Sequence, residues 1–196
     1  MCAGCIDSLR YRSEAECPYA RRNGRTDRIE DAGSQDGTDY QRSACGAQLV
    51  ARLFSGDALS GGTFGCSAMA LYPIRVYAFL PEGVYRYDSK ANVLNRVIEG
   101  DRRELTAMQD FAYTAPLNLV YVADYSVYAE RNQPVDRIRF WCAADAGGYT
   151  ENVNLYAAGN GLKTITRGSF KEEALLELLG LDPAQYCVIL AQTVGR

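Results

Sequence analysis

Three groups of residues in this chain have types and spacings that can do chemistry. Cys2 and Cys5 form a C-x-x-C, the spacing of redox thiols and of half a zinc site. A zinc site needs a second pair of ligands at suitable spacing, and the chain has no histidine. The seven cysteines, an odd number that cannot pair completely within one chain, fit the reduced thiols of the cytoplasm. No metal site is therefore expected. The second group, Arg21, Arg22 and Arg25 in RRNGR, offers guanidinium forks suited to a phosphate, or else forms a solvated basic loop. The third is Arg167-Gly168. A glycine there lets backbone approach a bound group closely, or simply permits a turn. Arg167 either faces an anionic group or lies on the surface with its aliphatic stem covering apolar atoms. Lack of histidine removes the commonest general base, so serine and cysteine hydrolases are disfavoured.

The stretch Trp141–Gly180 sets the third group in place. A helix carrying Ala144, Gly148, Asn152, Leu155 and Gly159 at helical spacing presents a small face for close packing against another backbone, and Gly147 and Gly148 point the same way. Asn160-Gly161 stops it. Lys163–Thr166, with three β-branched residues in succession, is a short strand. Ser169 and Glu172 then read as a capping box opening a helix that ends at Leu179-Gly180. Arg167-Gly168 thus falls at a strand-to-helix corner.

Upstream, Ile74–Leu80, Val84–Tyr87 and Val93–Ile98 read as an antiparallel meander joined by short turns. Asp101, with Glu104 three residues on, is expected to cap a helix running to about Phe111. Leu117–Ala123 is a near-continuous apolar run suited to a central strand. Asp124–Pro134 is polar, Pro134 fits the start of the long helix, and Cys187–Val194 is a closing strand. Asp145, Glu151 and Asn152 invite a catalytic reading from their place on the long helix, but helix packing explains Asn152 better. Asp101, Glu104 and Asp124 suit capping and a strand end.

The run DAGGYTENVNLYAAGNGLKTITRGSF, followed by EEALLELLGLD and a closing TVG, resembles the nitroreductase family of FMN-dependent flavoproteins, in its compact branch related to azoline-oxidising dehydrogenases. The likeness runs from about Ser67 to the C-terminus. It implies an α+β fold with a mixed, mainly antiparallel sheet flanked by helices, in a homodimer with FMN at the interface. Residues 66–196 would be the core and 1–65 an atypical segment. At the position of Gly168 the family places backbone beside flavin N5, so Gly168 and Arg167 are the implied catalytic positions. Cys66–Ile74, CSAMALYPI, matches a flavin-contacting stretch of Pro-Ser, two residues, Asn, one residue, Gln. Ser67 and Met69 keep the pattern and Tyr72 lies on the implied site. Ala70 and Tyr72 replace the usual asparagine and glutamine. Arg21, Arg22 and Arg25 match an early arginine cluster that holds the FMN phosphate.

The resemblance implies an oxidoreductase in which NADH or NADPH passes hydride through flavin N5 to a nitroaromatic, quinone or similar acceptor. The alternatives are a non-catalytic protein of the same fold with weak or lost FMN binding, and an azoline-oxidising dehydrogenase. Independently, a net charge of −3 disfavours general nucleic-acid binding. No apolar run suffices to cross a membrane and no signal-peptide core opens the chain, so a cytoplasmic protein is expected. At 196 residues the chain can bury a sizeable core as one domain.

Overall fold

Alternating apolar residues in Ile74–Leu80 (β1), Gly83–Asp88 (β2) and Val93–Glu99 (β3) produce the expected meander in the computed structural model, which describes residues 67–91 and 93–195. A Cβ at Gly83 would lie 2.5 Å from the Ile98 carbonyl oxygen, so only glycine lets β2 and β3 close there. Leu117–Asp124 (β4) is buried along its whole length. Lys163–Arg167 (β5) and Tyr186–Gly195 (β6) complete a six-stranded sheet of order β3-β2-β1-β4-β6-β5. Every pairing is antiparallel.

Among the described residues two α-helices cover the sheet, one on each face. Val135–Gly159 (α1) follows Pro134 as expected. Its stripe Ile138, Cys142, Ala146, Tyr149, Val153 and Ala157 packs on Val76, Leu119 and Tyr121. Glu172–Leu179 (α2) buries Leu175 and Leu176 against Tyr77, Phe79, Val120 and Val122 on the opposite face. It ends at Gly180, whose φ of 65° is the left-handed turn that glycine tolerates best.

Two local expectations are corrected, and the close packing expected of one face of α1 finds no partner in the described chain. The small-residue face of α1 does not pack on the described chain: Ala144, Gly148, Leu155 and Gly159 are exposed. A Cβ added at Gly147, Gly148 or Gly159 meets nothing within 4 Å. The larger apolar stripe wins the sheet because it removes more area from water. The helix expected from Asp101 to Phe111 is two separate 3-10 turns, Arg103–Thr106 and Asp110–Ala112. The break falls at Ala107, which is extended. Just before it the Leu105 and Thr106 carbonyls accept hydrogen bonds from Lys171 N and Arg167 Nη1. Finally, α2 opens after Lys171 without a side-chain cap. The Glu172 carboxylate instead accepts from Val188 N at 3.0 Å and from Cys187 Sγ at 3.3 Å.

The strand end at Asp124 is a pinned corner. Its carboxylate pairs with Arg75 and accepts from Ser126 N, Ser126 Oγ and Gln185 Nε2. Burial alone would raise its pKa, but these bonds and the Arg75 charge hold it below the usual value. No helix among the described residues is long and apolar enough to cross a membrane.

Candidate functional site

The approach to β1 is the first part of the site. Ser67 leads into a single 3-10 turn, Ala68–Ala70. Met69, Ala70 and Tyr72 all have left-handed backbone, with φ of 57°, 53° and 49°. Such conformations cost on the order of 1–3 kcal/mol each outside glycine, so something must hold them. That anchor is Asp145, on the buried side of α1 and 5% exposed. It accepts from Ser67 Oγ at 2.6 Å and from Ala68 N at 3.4 Å. Ser67 Oγ in turn accepts from Tyr72 N at 2.9 Å. Both roles of the Ser67 hydroxyl are therefore used in shaping the segment. The groups left facing outward are Met69 and Tyr72, 48% and 40% exposed. Arg131 Nη1 lies 3.6 Å from Met69 Sδ.

Asp145 is the residue whose role sequence reasoning missed. The signal was present: a carboxylate between Cys142 and Tyr149 sits in the apolar stripe, and a buried carboxylate requires donors. Asp145→Ala should cost about 2 kcal/mol, the scale of hydrogen bonds to a charged group. The loss should appear as faster hydrogen exchange confined to residues 67–72, and unchanged exchange there would refute the anchoring role.

The corner after β5 is the second part. Arg167 pairs with Ala191 of β6, and its side chain turns inward, 7% exposed. Nη1 donates to the Thr106 carbonyl at 2.6 Å. Nη2 donates to Thr193 Oγ1 at 2.8 Å and Asn118 Oδ1 at 3.3 Å. Nε has no partner among the described residues. The surface reading of Arg167 is thereby overturned, and burial pulls its pKa down. Gly168 is exposed, its φ is not positive, and a Cβ there would meet nothing within 4 Å. Neither backbone conformation nor packing among the described residues requires glycine at this point.

The two parts are not neighbours along the sheet. β4 and β6 separate β1 from β5, a span of three strand spacings, about 14 Å. Arg21, Arg22 and Arg25, like Cys2, Cys5 and Cys66, lie outside the described residues. A cleft of about 480 Å³ opens between α1, α2 and the start of β6, lined by residues including Tyr125, Arg139, Glu172 and Cys187 and by neither part of the site. Burial pushes the Cys187 thiol up and that of Cys142 up to about 11. Both stay protonated near neutral pH and are poor nucleophiles. No cluster of three or more metal-binding side chains occurs among the described residues.

A six-stranded antiparallel sheet with a long helix on one face and a short one on the other is an α+β arrangement shared with solved nitroreductase-fold proteins. Residues 57–196 match the model of the nitroreductase family, and the chain belongs to that family. It is 31% identical over 142 residues to a Methanocaldococcus jannaschii protein assigned as a nitroreductase, covering 66% of this chain and 68% of that one. Among solved structures, a protein of Ralstonia eutropha assigned as a nitroreductase superposes with a TM-score of 0.67 at 35% identity, over 76% of this chain and 70% of the other. A chain from the Escherichia coli microcin synthetase McbBCD complex, solved with truncated pro-MccB17 bound, gives 0.66 at 18% identity, over 89% and 76%.

Proposed function

We propose that this protein is an FMN-dependent oxidoreductase of the nitroreductase type, working as a homodimer, with residues 66–196 as its core and 1–65 as an atypical addition. FMN bound at Gly168 would supply the two-electron chemistry, taking hydride from NADH or NADPH at N5 and passing it to a nitroaromatic, quinone or similar acceptor. The observation that carries the reading is Gly168: an exposed glycine at a strand-to-helix corner, with no conformational or packing need for glycine among the described residues. Its missing side chain leaves room for a flat ring, and its backbone N–H can donate to it. The side chains present fit such a group. Tyr72 offers an exposed ring for stacking and Ser67 shapes the segment that presents Tyr72 and Met69; Arg21, Arg22 and Arg25, outside the described residues, would offer forks for the phosphate.

Two features support homodimerisation. The candidate residues lie about three strand spacings apart in one chain, so a second copy can bring one copy's Ser67–Tyr72 segment to the other's corner. The face of α1 with Phe140, Ala144, Gly148 and Leu155 is exposed, Phe140 and Leu155 at 68% and 63%, a surface suited to close helix contact.

A second reading, a scaffold with weak or lost FMN binding, has its own support. Ala70 replaces a polar side chain and Tyr72 an amide in the segment that would read the flavin edge. The microcin synthetase likeness, a likeness of fold, makes an azoline-oxidising dehydrogenase a further alternative. Purified intact protein should show a flavin spectrum or gain one on addition of FMN, sediment as a dimer, and oxidise NADH or NADPH with a quinone or nitroaromatic present. Protein that takes up no FMN leaves the scaffold reading; FMN-loaded protein idle with these acceptors but oxidising an azoline-bearing peptide leaves the dehydrogenase.

A further inference from the structure

Among the described residues, Arg167 is the one buried cation. Its three hydrogen bonds among those residues all go to neutral oxygens. The ion pairs among the described residues are Arg75 with Asp124 and Arg103 with Asp101, and neither involves Arg167. The surroundings are wired to hold the charge without cancelling it. Asn118 Nδ2 donates to the Ala112 carbonyl at 2.6 Å, which turns Asn118 Oδ1 toward the guanidinium. Thr193 Oγ1 spends its proton on the same Oδ1 at 2.6 Å, so its lone pair faces Arg167. Dipoles solvate the cation while its full charge remains. A buried ion without a counter-ion is costly, and its field reaches further in a low-dielectric interior than in water.

We infer that Arg167 is a positioning residue that makes reduced FMN bind more tightly than oxidised FMN at the adjacent Gly168, through a buried positive charge that the described fold leaves unneutralised. This rests on the flavin reading above. The electrostatics follow from the stoichiometry: uptake of two electrons and one proton at N5, from NAD(P)H as hydride, leaves the ring system with one net negative charge. A cation held one residue from Gly168 favours that state over the neutral oxidised one.

Two substitutions and one measurement test it. Arg167→Gln removes the charge, and Thr193→Asp leaves Arg167 in place while setting a carboxylate where the hydroxyl now accepts. Each should lower the affinity for reduced FMN relative to oxidised FMN by about tenfold, a drop in two-electron midpoint potential of about 30 mV, read by dye equilibration under dithionite. Arg167→Lys, which keeps the charge, should stay near the wild-type potential. Apo-protein melting reports whether each variant folds, and a purely structural role would lower melting without moving the potential. The inference is overturned if a folded Arg167→Gln or Thr193→Asp variant binds FMN at the wild-type potential. Wild-type protein that binds no FMN would overturn the flavin reading itself, so the two failures are separable.

Discussion

Gly168→Val is expected to fold like the wild-type protein and to lose about 100-fold in the rate of flavin reduction by NADH or NADPH, the scale of a displacement of about 1 Å between reacting groups. The expectation combines two facts. A Cβ at Gly168 meets nothing within 4 Å, and the backbone there is not in the left-handed region that would penalise a β-branched side chain. The added methyls therefore project into the space where the flavin ring would lie. Thermal melting of the apo protein alongside stopped-flow reduction of the FMN-loaded protein separates the outcomes. A melting temperature that falls with the rate would return Gly168 to the role of a simple turn residue.

Gln192→Leu should have the largest effect on the fold itself. Gln192 is fully buried on β6. Its Oε1 accepts from Tyr121 Oη at 2.6 Å, and its Nε2 donates to the Thr150 carbonyl at 3.1 Å and to Asn154 Oδ1 at 2.8 Å. Asn154 Oδ1 also accepts from Thr164 Oγ1 at 2.6 Å. One amide thus ties β4 and β6 to α1, and through Asn154 to β5. Leucine matches the volume but strips three hydrogen bonds from buried groups, a loss of about 3 kcal/mol. For a domain of this size that lowers the melting temperature by about 10 °C. Since β5 carries Gly168 at its end, FMN affinity should fall as well. A variant that melts within about 2 °C of wild type, less than 1 kcal/mol, would show that the network contributes little.

The strands were legible in the chain because their signal is local. The near-continuous apolar run Leu117–Ala123 announces a strand buried on both faces, and the structure buries all of β4. The limits of α1 were legible too, from Pro134 at its start and Asn160-Gly161 at its end. What failed depended on distant partners. Ser169 and Glu172 satisfy the spacing of a capping box, yet Glu172 is taken by Val188 on a strand formed later in the chain. The helix foreseen after Asp101 stops where the Leu105 and Thr106 carbonyls meet donors from the β5 corner. For α1, spacing revealed a small-residue face suited to close packing, but not whether its partner lies within the described chain. At the site, Gly168 could be placed at its corner from local pattern, whereas the inward turn of Arg167 depends on Asn118 and Thr193, which no spacing rule connects to it.

The strand order also constrains how the chain can assemble. β1, β2 and β3 pair with sequence neighbours, so their hairpins close short loops and can form early. β6 is the last strand in sequence, yet it lies between β4 and β5. Until it is in place, β5 has no strand to pair with among the described residues, and one edge of β4 is unpaired there. An unpaired edge on so apolar a strand invites association with other chains. The last ten described residues, Tyr186–Gly195, are thus the keystone of assembly. Before they dock, Arg167 lacks the Thr193 oxygen that helps to hold it, and the corner that ends in Gly168 has no fixed place on the sheet.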